Sequence, residues 1–307
     1  MTRYNSAEEL IGNTPLVRLD GFARAKGFEA VVWGKVEARN PGGSAKDRAA
    51  KAMFEDARKR GILDSETVII EPTSGNMGIS LAALAAVSGM RIIICMPDTM
   101  SVERQKLMTA YGAELVLTPG ATGMAGAIEE AERLHEQIPN SFIPSQFTNP
   151  ANPKAHYEST GPEIWNDLEG AVDYFVAGVG TGGTLSGTGA FLKEMNPDVK
   201  IIAVEPADSP LLSEGRSGAH GLQGIGANFV PETLDTTVYD EVIAITTEEA
   251  YEAARQLARR DGLLVGISSG ASLAAAAKLA QREEARGKNI VALLPDTGER
   301  YLSTDLF

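Results

Sequence analysis

One lysine stands where a helix ordinarily favours an acid. In NPGGSAKDRAAKAMFEDARKRG, Pro41, Gly42, Gly43 and Ser44 immediately precede a helical pattern that runs to a glycine stop at Gly61, which puts Lys46 in the first turn. A cation there opposes the helix dipole, whereas Asp47 beside it complements the dipole. Most lysines are solvated surface charges, and a small loss of stability is tolerated. The functional alternative is an amine whose ammonium form is disfavoured and which is therefore nucleophilic toward an aldehyde.

Three glycine-rich turns follow. VDYFVAGVGTGGTLSGTGAFL places Gly178, Gly180, Gly182 and Gly183 between a strand and a helix starting near Thr184. Glycines let a backbone approach an anion closely, and helix N-termini favour phosphate. Gly178, Gly180 and Gly183 also satisfy GxGxxG, with Glu205 where a dinucleotide fold puts its ribose-binding acid, so a nicotinamide site stays open, as does a plain tight turn. GISSG at 266–270, read between a strand LLV and an Ala-rich helix, matches a nucleophile elbow with Ser268 as nucleophile. That fold needs a histidine after the serine, and none follows His220. Helix capping by Ser268 or Ser269 is the bland reading. EPTSGNMGIS gathers Thr73, Ser74 and Asn76 around Gly75 at a helix start, which suits a carboxylate or simply a cap.

A lysine and a phosphate cradle point to a cofactor bearing both an aldehyde and a phosphate. Pyridoxal 5′-phosphate meets both conditions. His135, His156 and His220 lack metal-ligand spacing, so no metal site is expected. Cys95, the only cysteine, continues an apolar strand, excludes an internal disulfide and fits a reducing cytoplasm.

The scaffold that must hold these groups reads as α/β. Candidate strands at 31–36, 67–71, 91–96, 114–117, 172–177, 200–205, 241–245, 263–265 and 289–294 alternate with helical segments. One of these, 122–138, sets Met124, Ala127, Ile128, Ala131, Leu134 and Ile138 on one face. Such alternation implies crossover connections and mostly parallel sheets. QFTNPANP, from Gln146 to Pro153, breaks both periodicities near mid-chain and marks a boundary between residues 1–150 and 151–307. The 307 residues allow one large or two modest domains, and 43% hydrophobic with 22% charged residues excludes a disordered chain. A net charge of −13 disfavours nucleic acid as a partner. The apolar runs are too short for a membrane helix, and the opening MTRYNSAEEL has no secretory pattern.

Taken together, IGNTPLVRL at 11–19, NPGGSAKDR at 40–48, PTSGNMGIS at 72–80, QFTNPANP at 146–153, TGPEIW at 160–165, GVGTGGTLSG at 178–187, GIGANFVP at 224–231, GISSGAS at 266–272 and PDTGERY at 295–301 resemble the cysteine synthase/cystathionine β-synthase family, most closely its O-acetylserine sulfhydrylases. The resemblance spans nearly the whole chain. It implies the tryptophan synthase β-like fold (fold type II), two open twisted α/β domains with pyridoxal 5′-phosphate between them. The 1–150 unit would carry Lys46 and the TSGN loop, its first residues free to cross to the other unit. The 151–307 unit would carry the phosphate loop and Ser268.

By motif, the resemblance implies that Lys46 holds the cofactor and then acts as acid and base, and that Asn76 partners the ring hydroxyl. It assigns Thr73, Ser74, Gly75 and Gln146 to the substrate carboxylate. Gly180, Thr181, Gly182, Gly183 and Thr184 hold the phosphate, and Ser268 faces the ring nitrogen. Met77 and Ser159 depart from the family's usual threonines. The implied activity is β-replacement, converting O-acetyl-L-serine and sulfide to L-cysteine and acetate through an α-aminoacrylate; an O-phosphoserine user, a cystathionine β-synthase-like enzyme and a serine dehydratase or racemase are the alternatives. A homodimer that binds the C-terminal tail of serine acetyltransferase is implied by resemblance alone.

Overall fold

The computed structural model describes residues 3–73 and 75–307. Among the described residues, ten strands divide between two sheets. β1 (Leu16–Arg18), β2 (Val31–Val36), β7 (Tyr174–Gly178), β8 (Lys200–Pro206), β9 (Glu241–Ile245) and β10 (Asn289–Leu294) form a six-stranded sheet in the order β1-β2-β10-β7-β8-β9. Only β1, against β2, is antiparallel. β3 (Val68–Pro72), β4 (Ile92–Pro97), β5 (Glu114–Thr118) and β6 (Ser141–Phe142) form an all-parallel sheet in the order β5-β4-β3-β6. The first two strands of the chain thus belong to the larger sheet.

Both sheets are covered on both faces, which is why β4, IIICMP, is buried throughout and shows no alternation. The helices are α1 (Asp20–Lys26), α2 (Lys46–Lys59), α3 (Asn76–Ser88), α4 (Val102–Ala110), α5 (Gly123–Gln137), α6 (Ala151–Ala155), α7 (Gly161–Asp167), α8 (Gly183–Met195), α9 (Leu211–Glu214), α10 (Thr247–Asp261) and α11 (Ile267–Ala280). On the smaller sheet, α2, α3 and α4 build one core layer around Met53, Phe54, Ile69 and Met108, while α5 covers the other face with Ala127 and Ala131. On the larger sheet, α1, α10 and α11 cover one face and α7 and α8 the other. α11 is Ala-rich because it is enclosed: a Cβ on Gly270 would lie 2.1 Å from the carbonyl oxygen of Ala250 in α10.

Two expectations need correction, and two short strands are added. Residues 263–265 form no strand; Val265 makes one isolated bridge to Thr297, since the segment runs straight into the buried α11. Strands β1 and β6 were not anticipated, because three and two residues carry no readable period. Ile128 of α5 is 45% exposed, off the buried stripe of Ala127 and Ala131.

A buried ion cluster ties the layers together behind α2. Arg48 Nε donates to Glu37 at 2.7 Å, and its Nη1 and Nη2 donate to Glu163 of α7 at 2.6 and 2.7 Å. Lys35 of β2, 0% exposed, joins Glu163 at 2.8 Å and the Thr14 carbonyl at 2.6 Å. Burial alone would raise the Glu163 carboxyl, but the Arg48 guanidinium and the Lys35 ammonium hold it down at about 2.

Candidate functional site

Loops from the two sheets converge on a cavity of about 460 Å³, within the range of small-ligand sites. Lys46, Thr73, Gly75, Asn76, Gln146, Gly180, Thr181, Gly182, Thr184 and Ser268 all line it. Gly183 is the exception among the expected residues. It begins α8 behind the cavity wall, where a Cβ would lie 2.2 Å from Asn152 Oδ1. Ser74 lies outside the described residues.

Lys46 opens α2, as the glycine-rich lead-in requires. It is half-buried, and among the described residues it makes no ion pair. Burial lowers its ammonium below the ordinary lysine value, and the Asp296 carboxylate opposes that shift. Asp47, beside it, is buried; its carboxylate accepts from the Gly42 N–H at 2.6 Å and from the Ser80 hydroxyl, tying the lead-in to α3. Desolvation raises the Asp47 carboxyl to about 6.

The glycine turn after β7 is neutral. Gly182 adopts φ +81°, and a Cβ on Gly180 would lie 2.4 Å from the carbonyl oxygen of Gly224, so the loops 178–184 and 221–227 meet backbone to backbone. Thr181 Oγ1 accepts from Asn152 Nδ2 at 3.0 Å, and Thr233 Oγ1 donates to the Thr181 carbonyl at 2.6 Å. Ser268, in the first turn of α11, is buried against this loop, and its hydroxyl hydrogen-bonds to no described residue. The helix cap is Gly266, so neither Ser268 nor Ser269 serves as one.

On the opposite wall, Asn76 starts α3. Its Nδ2 donates to Asp296 Oδ2 at 2.7 Å, and its Oδ1 accepts from Arg300 Nη1 at 2.5 Å. Tyr301 donates to the same Asp296 oxygen at 2.7 Å, while Arg300 also donates to the Gly42 carbonyl. Glu71, at the end of β3, accepts from the backbone N–H of Ser145 at 3.3 Å and from that of Gln146, and so places Gln146 at the cavity. Desolvation raises the Glu71 carboxyl to about 8.

Sequence reasoning missed Asp296, Arg300, Tyr301, Glu71 and His156. PDTGERY was visible as a motif without a role, and Glu71 stood directly before the TSGN turn; His156 carried no signal beyond its residue type. Glu205 also has a plain explanation. It is buried, and its carboxylate accepts from the N–H groups of Leu212 and Ser213 at 2.7 and 3.1 Å and from the Ser213 hydroxyl, which leaves it no ribose-binding role.

An amine with a weakened ammonium, a glycine turn at a helix start, a neutral hydroxyl without a described partner and a polar turn share one cavity, a set whose chemistry fits pyridoxal phosphate. Residues 7–296 match the family described as pyridoxal-phosphate dependent enzyme, and the chain belongs to that family, with its fold type II architecture and its cofactor. It is 50% identical over 306 residues to cysteine synthase A of Escherichia coli (strain K12), covering 97% of this chain and 93% of the relative. It is likewise 50% identical over 300 residues to a cysteine synthase of Staphylococcus aureus (strain Mu50), covering 97% and 96%. A solved cysteine synthase from Entamoeba histolytica superposes with a TM-score of 0.95 at 44% identity, over 100% of this chain and 91% of that one.

Proposed function

We propose that the protein is a cysteine synthase, exchanging the acetoxy group of O-acetyl-L-serine for sulfide to give L-cysteine and acetate. The observation that carries this reading is the partly buried Lys46 amine, without an ion-pair partner among the described residues, in one cavity with the glycine turn and with Thr73, Gly75 and Asn76. Lys46 would hold pyridoxal phosphate, with Asn76 at its ring hydroxyl, Gly180, Thr181, Gly182, Gly183 and Thr184 at its phosphate and Ser268 at its ring nitrogen. Bound there, the cofactor supplies an electron sink conjugated to the amino-acid nitrogen.

The remaining work belongs to the chain. Lys46 takes the proton from the substrate α-carbon and returns it after sulfide has added at the β-carbon. Thr73, Ser74, Gly75 and Gln146 grip the carboxylate and aim the Cα–H bond at that amine. Ser268, a neutral hydroxyl, leaves the ring nitrogen without the charge an aspartate would impose, which favours elimination over slower competing routes.

O-Acetylserine is preferred to O-phosphoserine in this reading because the 221–229 loop has no arginine and Arg216, close to it in sequence, is exposed and paired with Glu214 at 3.0 Å; Arg104, which lines the cavity, is the arginine that a phosphate ester would have to use. Two modest units, 1–150 and 151–307, with the first strands crossing between them, a homodimer in the cytoplasm, and docking of a serine acetyltransferase C-terminal tail at Thr73, Ser74 and Gln146 complete the proposal. No described helix is long and apolar enough to cross a membrane. Incubation with O-acetylserine and sulfide should yield cysteine, with kcat/KM higher than for O-phosphoserine. Failure to form cysteine from either ester would overturn the assignment.

A further inference from the structure

Behind the glycine turn lies a histidine that the mechanism above does not use. His156 opens a π-helical turn, His156–Thr160, between α6 and α7, and is 2% exposed. Such turns are uncommon and often aim a side chain that a regular helix would misplace. Here the ring reaches two threonines: Nδ1 lies 2.9 Å from Thr160 Oγ1 and Nε2 lies 3.1 Å from Thr184 Oγ1. Among the described residues, neither hydroxyl has another hydrogen-bond partner.

Counting protons decides which way the chain of bonds runs. Thr160 is 0% exposed, so its hydroxyl proton has Nδ1 as its only acceptor among the described residues. If Nδ1 carried the ring proton instead, the Thr160 proton would be buried without a partner. A neutral ring that accepts at Nδ1 is protonated at Nε2, and Nε2–H then donates to Thr184. Thr184 lines the cavity, so its own proton is left for whatever occupies the glycine turn.

We infer that His156 is a positioning residue that donates its Nε2 proton to Thr184 and thereby turns the Thr184 hydroxyl proton toward an anionic group in the turn. The inference rests on the reading of residues 180–184 as a phosphate loop. Charges facing the ring come from Arg48 and Lys46 of α2, Glu37 after β2 and Glu163 of α7. Burial first, then Arg48, lowers the imidazolium to about 3, which keeps the ring neutral as the relay requires.

The test uses the holoenzyme labelled with ¹⁵N-histidine. The chain has only His135, His156 and His220, so His156 is assigned by elimination with His135→Gln and His220→Gln. Long-range ¹H–¹⁵N spectra at neutral pH should show the proton on Nε2 alone; a proton on Nδ1, or on both nitrogens, overturns the relay without requiring any His156 variant to fold. ³¹P spectra of the bound cofactor then separate the two levels. Thr184→Val should move the phosphorus resonance, and no movement would sink the loop reading itself. His156→Gln, whose amide nitrogen replaces Nε2–H, should keep the parental resonance, whereas His156→Asn should shift it and weaken cofactor retention roughly tenfold. Equal effects of the two amides would leave the loop reading standing and remove the relay.

Discussion

The two walls of the cavity are built on opposite electrostatic principles. The wall from the six-stranded sheet, Gly180–Thr184 with Ser268, offers backbone and hydroxyl groups held by close packing, and its one imidazole is kept neutral. The wall from the four-stranded sheet presents Lys46, with Asp47 and Glu71 buried behind it, all three displaced from their ordinary pKa values chiefly by desolvation. A group that must hold a constant dianion gains nothing from titrating, whereas proton transfer at a substrate carbon is helped by an amine whose ammonium form is weakened. The contrast predicts that pH and chemistry act through one wall and shape through the other.

The largest break is Lys46→Ala. Turnover should fall by roughly 10³-fold or more, with loss of the visible absorption of bound cofactor, because in the proposed function Lys46 supplies both attachment and proton transfer. Near-parental activity would place the chemistry elsewhere. Next is Arg48→Met, behind both walls. It strands buried Glu37 without a cation, leaves Glu163 to Lys35 alone, and should cost about 3–5 kcal/mol of stability by denaturant unfolding, with its effect on the walls indirect. A loss under about 1 kcal/mol would show the cluster to be a weak tie.

Glu71 sharpens the electrostatic half of the contrast. Its folded pKa, about 8, lies above the ordinary 4.5, so between those values the folded state holds a proton that the unfolded state has released. Stability from this group is therefore greatest below about 4.5, declines by up to about 1.4 kcal/mol per pH unit as pH rises, and levels off above 8. Glu71→Gln should remove that slope, so the variant's advantage in urea midpoint grows from pH 5 to pH 8. Parallel profiles for variant and parent would show that Glu71 does not titrate in this window.

Much of this was legible because glycine turns and parallel strands write themselves locally. β2, β9 and β10 fall where apolar runs place them, and Lys46 announces itself by opposing the helix dipole. What stayed hidden depends on contacts distant in the chain. Asp296 meets Asn76 across 220 positions and Arg48 meets Glu163 across 115, and no periodicity encodes either pair. His156 acquires its meaning only when the π-helical turn brings Thr184 beside it.

The smallest effects come from a pair of glycines, one on each wall. At Gly180 an added methyl meets the Gly224 carbonyl oxygen at 2.4 Å, and a backbone atom cannot swing aside as a flexible side chain would. Gly180→Ala should therefore cost about 1–3 kcal/mol and loosen cofactor retention. At Gly75 the same methyl meets no described atom within 4 Å beyond its chain neighbours, and φ is −139°, so no left-handed strain is involved. Gly75→Ala should leave stability within about 0.5 kcal/mol. The methyl can then be felt only by a ligand, as a raised KM for the amino acid with the cofactor spectrum unchanged. If Gly180→Ala proved as benign as Gly75→Ala, the packed wall would be softer than its contacts imply, and shape would no longer distinguish it from the wall that titrates.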